Sequence, residues 1–124
     1  MKAKSIKGKS TEDIKQAIEN SISDGFTPTV AVLFISVKQD RKAICELLDS
    51  KNIDILGATS CGEFTNGHQT EGEIALLLLE LSKEHYTLLY EDIVDGSLED
   101  TISRLADNAL KQFTNPSLII CSTG

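Results

Sequence analysis

One stretch of eight residues, Gly57-Ala58-Thr59-Ser60-Cys61-Gly62-Glu63-Phe64, gathers two glycines, two hydroxyls, a thiol and a carboxylate. Glycines let a ligand approach the backbone closely, and exposed N–H groups at a strand end can cradle a carboxylate or phosphate. Thr59 and Ser60 add short polar arms, and Glu63 either holds a ligand amine or caps a backbone turn. Cys61 is the thiol placed to react, since Cys45 falls in an amphipathic segment and Cys121 in an apolar one. A cysteine nucleophile needs a base, and the two histidines, His68 and His85, are tied to Cys61 by no local periodicity. The ligand-binding candidates are therefore Gly57, Thr59, Ser60, Cys61, Gly62 and Glu63, with no catalytic residue and no cofactor expected. Neither G-x-G-x-x-G nor a G-x-x-x-x-G-K-[ST] phosphate loop is present, and no C-x-x-C or His pair offers a metal-ligand spacing.

The flanking pattern predicts what positions this loop. Ser10 with Asp13 opens a helix whose inner face is Ile14, Ala17, Ile18 and Ile22, and Asp24-Gly25 stops it. The apolar run Val30–Ile35 reads as a strand covered on both sides. A helix over about 39–49 and a strand over 53–58 complete a βαβ unit that delivers the loop at a strand's carboxyl end. Asn66-Gly67 marks a turn, and strands over 73–81 and 86–90 follow as an antiparallel hairpin. Ser97 with Asp100 opens a third helix with an inward stripe of Leu98, Ile102, Leu105, Ala109 and Phe113. Leu118–Cys121 reads as a last strand. The expected class is α/β: a mixed sheet of about five strands with packed helices, in the order αβαβββαβ.

With 124 residues, the chain has the length of one domain. Residues 1–9 read as a flexible basic N-terminus, and 10–124 as a single α/β domain that looks cut at its C-terminal end, because the last strand has no following loop. Twelve Lys and Arg against nineteen Asp and Glu leave a net charge of -7. That balance argues against nucleic acid as a partner and against anionic membranes. The longest apolar run, Ile74–Leu79, is too short to insert in a membrane, and the start of the chain lacks the apolar run of a secretory signal. Three cysteines without ligand spacing fit a reducing, cytoplasmic setting. The carboxylates Glu71, Glu73, Glu91, Asp92 and Asp95 read as a solvated rim rather than as a paired acid and base.

The segment ending in Gly57–Phe64 resembles the signature of the FIST family's N-terminal domain. Members there show a hydrophobic strand, a Ser-x-x-x-Asp step into a helix, and then Gly-Cys-Ser-Thr-Ala-Gly-Glu-Ile. Ser36 and Asp40 take the step, and Gly57, Gly62 and Glu63 match directly. Thr59 and Ser60 reverse the two hydroxyls, while Ala58, Cys61 and Phe64 replace the family's Cys, Ala and Ile. The resemblance implies a sensory domain of a signal transduction protein that binds a small molecule, with amino acids as the ligand class. It also implies a C-terminal FIST domain and a signalling output domain as partners in a longer parent. The alternative is a structural or protein-interaction fragment that has no ligand and docks through its sheet or a strand edge.

Overall fold

The computed structural model describes residues 1–65, 67–93 and 96–121, with the side chains of Phe64 and Thr65 also outside the description. Asn66, Asp95 and residues 122–124, which entered the reading of the turn, the acidic rim and the chain end, lie outside it as well. The chain divides into two compact units, one built on Met1–Tyr86 and one on Thr87–Ile120, and each is described by itself.

The first unit is a mixed α/β fold. Its elements are β1 (Lys2–Gly8), α1 (Thr11–Ile22), β2 (Val30–Ser36), α2 (Arg41–Ser50), β3 (Asp54–Ser60), β4 (Glu63–Thr65), β5 (His68–Thr70) and β6 (Ile74–Glu80). Four of the strands form one sheet in the order β1-β6-β2-β3, and β4 and β5 form a separate two-stranded ribbon. β2 runs parallel to β3, with Leu33 beside Gly57, and antiparallel to β6, with Leu33 beside Leu76. Helix α2 thus joins two parallel neighbours, as the βαβ reading expects.

Both helices start on side-chain caps. The Ser10 hydroxyl accepts from the Asp13 N–H at 3.1 Å, while the Asp13 carboxylate reaches one residue past the cap and accepts from the Lys9 N–H at 3.0 Å. The Asp40 carboxylate accepts from the Ala43 N–H at 3.0 Å. Ile14 and Ile18 of α1 and Ile44 and Leu48 of α2 are fully buried. They pack with Ala31, Leu33, Ile35, Ile74, Leu76 and Leu78, which alternation and register place on one side of the sheet. The other side carries Val32, Phe34, Leu56, Ala58, Leu77 and Leu79, and there Phe34 is 41% and Leu77 38% exposed.

Several elements differ from the sequence reading. Residues 1–9 are not a flexible tail: Lys2–Gly8 pairs along its whole length with β6, and Ile6 opposite Leu76 enters the core. A strand with one large apolar residue has no visible period, which is why the lysines dominate its appearance. Lys4 is anchored rather than free, donating to the Ser21 carbonyl and to Asp24 at 2.7 Å and lying over the Phe26 ring. The apolar run of residues 53–58 suggests an interior strand, but among the described residues β3 stands at the edge of the sheet, with one face on the core. Residues 86–90 form no strand, and the local hairpin is β4–β5 instead. The Tyr86 hydroxyl is used otherwise, donating to Asp54 at 2.7 Å beside the Lys83 ammonium, which lies 3.4 Å from the same carboxylate oxygen.

In the second unit, α3 (Leu98–Gln112) begins on Ser97, whose hydroxyl accepts from the Asp100 N–H at 3.4 Å. Ala109 is buried, but Leu98 and Ile102 of the expected inward stripe are exposed. Leu118–Cys121 is not a strand among the described residues, and Leu118, Ile119 and Ile120 are exposed. The observed order is therefore βαβαββββα.

Tyr86 yields a pH prediction. Burial first, and then its hydrogen bond to the Asp54 carboxylate, hold the phenol above its ordinary value of 10.0. A folded-state value above the unfolded one contributes stability that is intact below pH 10.0 and is lost as pH rises through the folded value. Tyr86→Phe should lower stability by about 1 kcal/mol at neutral pH. It should also flatten the alkaline limb, as read by urea denaturation from neutral to strongly alkaline pH.

Candidate functional site

The loop after β3 is built around Glu63, which is 1% exposed. A buried carboxylate is costly unless donors reach it. Two do: the Ser60 hydroxyl donates to one oxygen at 2.7 Å, and the Glu73 N–H donates to the other at 3.0 Å. The Ser60-x-x-Glu63 spacing brings the first donor by a tight local turn. The second comes from the residue just before β6, so a single side chain joins the end of β3, the ribbon and the start of β6. Of the two roles read from the sequence, Glu63 takes the backbone-capping one. Each of its oxygens accepts from a protein donor.

The neighbouring segment is tied down as well. The Ser36 N–H donates to the Glu73 carbonyl at 3.1 Å. The Gln39 side-chain amide donates to the carbonyls of Lys9 at 2.9 Å and Gly72 at 2.8 Å. These bonds fix the β2–α2 connection against the turn that enters β6.

The remaining candidates separate by environment. Gly57 lies inside β3, where a Cβ would run into the Leu33 carbonyl oxygen, so close strand approach accounts for this glycine. Gly62 has no positive φ, and a Cβ there would stand 3.4 Å from the Gln69 side-chain nitrogen, an ordinary contact. Backbone strain is thus no reason for glycine at this position. Ser60 is spent on Glu63. Cys61 is an exposed free thiol, whereas Cys45 and Cys121 are half-buried.

Gly57, Cys61 and Gly62 are exposed as Thr59 is, but of the six only Thr59 lines a surface depression at the start of α2. Its volume is about 370 Å³, and Ser36, Val37, Gln39, Asp40, Arg41 and Lys42 line it as well. This depression lies where β2 and β3 end and α2 begins, outside the carboxyl ends of two parallel strands, a favoured position for ligands in α/β sheets. The Asp40 carboxylate is occupied as the helix cap. Lys42 stands 3.7 Å from Glu46, and Arg41 has no ion pair among the described residues. The rim therefore presents cationic groups beside the Thr59 hydroxyl, while Ser36 is buried and its hydroxyl accepts from the Lys38 N–H at 3.3 Å. The sequence reading marked Ser36 and Asp40 only as a step into a helix. Arg41 and Lys42 carried no signal, because their relation to Thr59 arises from the parallel register that sets Ile35 beside Thr59. Among the described residues no group of three or more His, Cys, Asp or Glu side chains is arranged to hold a metal ion. No helix among them is long and apolar enough to cross a membrane.

Two measurements check this geometry. Glu63→Ala should destabilise the chain by about 2–3 kcal/mol, because it leaves a buried N–H without its acceptor. Urea denaturation showing less than about 0.5 kcal/mol of change would contradict the buried tie. Brief alkylation of the native chain followed by mass mapping should modify Cys61 ahead of Cys45 and Cys121.

In comparisons with known proteins, the chain matches no protein-family model, no curated protein and no solved structure.

Proposed function

We propose that this chain is a small-ligand-binding sensory domain whose site is the depression between Thr59 and the first turn of α2. The observation that carries the reading is the meeting of an uncommitted strand-end hydroxyl with Arg41 and Lys42 around about 370 Å³ of open volume. That volume lies within the range of small-molecule sites. Cations and a hydroxyl together favour a ligand with a carboxylate, which the Arg41 guanidinium can grip through paired N–H donors. An amino acid or another small carboxylic acid fits this chemistry. The resemblance of Gly57–Phe64 to the FIST signature supports the sensory role, with a C-terminal FIST domain and an output domain as partners in a longer parent. Glu63 enters the proposal as the brace that holds the β3 end in place, not as a ligand contact.

A second reading, an interaction domain without a ligand, is favoured by the exposure of Phe34 and Leu77 on the side of the sheet opposite α1 and α2.

The test is calorimetric titration with hits from a thermal-shift screen of amino acids and small carboxylates. Thr59→Ala should weaken binding by about 0.5–1.5 kcal/mol, and Arg41→Gln by about 1.5–3 kcal/mol. Glu63→Gln should leave the affinity of the folded fraction unchanged. A screen without hits, or hits whose affinity is untouched by both Thr59→Ala and Arg41→Gln, would turn the assignment towards the interaction reading.

A further inference from the structure

The two edges of the four-stranded sheet are built in opposite ways. β1 carries Lys2, Lys4 and Lys7, the kind of charge that keeps an edge from pairing with another chain. β3 reads Asp54-Ile55-Leu56-Gly57-Ala58-Thr59-Ser60, with no lysine, arginine or proline. Its one charge stands at the first position, and that carboxylate is engaged by the Tyr86 hydroxyl at 2.7 Å.

The backbone of β3 shows which groups point away from β2. The Asp54 N–H donates to the Thr29 carbonyl at 2.9 Å, and the parallel register sets Asp54 beside Val30. Alternation then directs the N–H and C=O groups of Asp54, Leu56 and Ala58 towards β2, and those of Ile55, Gly57 and Thr59 outward. Among the described residues these outward groups have no ladder partner.

We propose that the outer edge of β3 pairs antiparallel with the same edge of a second copy, joining two sheets about a two-fold axis at Gly57. The residues that meet in that register put no proline and no like charges opposite one another. Ile55 meets Thr59 of the second copy, Gly57 meets Gly57, and Thr59 meets Ile55. All three are the outward-bonding residues, so every outward N–H and C=O finds a partner. Asp54 stands opposite Ser60, so no two like charges face each other across the ladder. Gly57 puts no side chains on the axis. On the side opposite α1 and α2 Leu56 meets Ala58, which joins the exposed apolar strips of the two sheets. Pairing β3 with the β1 of another copy would instead generate an open array, which the β1 lysines oppose. The proposal does not rest on the ligand-binding reading, although it sets Ile55 of the second copy beside Thr59 at the rim of the depression.

Light scattering on the eluting full chain, from dilute solution to near its solubility limit, should show a shift from 13.5 kDa to twice that mass. Ala58→Lys places two lysines beside apolar neighbours near the axis and should hold the chain at monomer mass with unchanged circular dichroism. Ala58→Val, which keeps the pair apolar, should still dimerise. Amide exchange on the unmodified chain gives a readout that needs no variant. Ile55, Gly57 and Thr59 should exchange more slowly at high concentration, while Leu56 and Ala58, bonded within the sheet, should change little. A chain that stays at monomer mass throughout, or a dimer whose Ile55, Gly57 and Thr59 amides show no concentration dependence, would overturn the proposal.

Discussion

A carboxylate removed from water must be met by donors, and the end of β3 is organised around that requirement. Glu63 takes one bond from Ser60, three residues earlier, and one from the Glu73 backbone, ten residues later. Because Glu73 also accepts from the Ser36 N–H through its carbonyl, the ends of β2 and β3 and the start of β6 share one network. Gln39 closes the network by donating to both Lys9 and Gly72. Thr59 and the first turn of α2 are thereby held on a rigid floor, with the polar groups beneath them already partnered. The outer layer, the hydroxyl of Thr59 and the cations that follow Asp40, is what the proposed ligand would meet.

This division explains how far the sequence could be read. Elements announced by local chemistry were legible. Capping pairs such as Ser10 with Asp13 and Ser97 with Asp100 stand three residues apart and open helices where expected. The continuous apolar runs in β2 and β6 likewise mark strands of the sheet, though they are not covered on both sides as such runs suggest: Phe34 and Leu77 are exposed on the face away from the α1–α2 core. β1 was hidden because a single residue, Ile6, supplies its core contact while lysines fill its solvent positions. The apolar run at residues 118–120 and the aromatic segment at 86–90 have the composition of strands, and composition alone does not provide a ladder partner.

The candidate site was legible as a region, and less so as a set of roles. Glycine, hydroxyl and carboxylate in Gly57–Glu63 all matter to the structure, yet most serve the fold. Gly57 admits the Leu33 backbone, while Ser60 and Glu63 satisfy each other. The cationic rim comes from residues some eighteen positions upstream of Thr59, brought there by the parallel pairing of β2 and β3. A local motif does not contain that information, because it depends on register across two strands. The same register leaves β3 with a row of outward backbone groups that have no ladder partner among the described residues, on the strand that also positions the depression.

The central claim is that Glu63 braces the site from beneath while Thr59, Arg41 and Lys42 face the ligand. Backbone amide chemical shifts, followed while the full chain is titrated with a small carboxylate that binds it, test this most directly. The largest changes should fall on Thr59 and on residues 39–42, with the Glu63 and Glu73 amides nearly unmoved. Largest changes at Cys61, Gly62 and Glu63, with residues 39–42 silent, would contradict it.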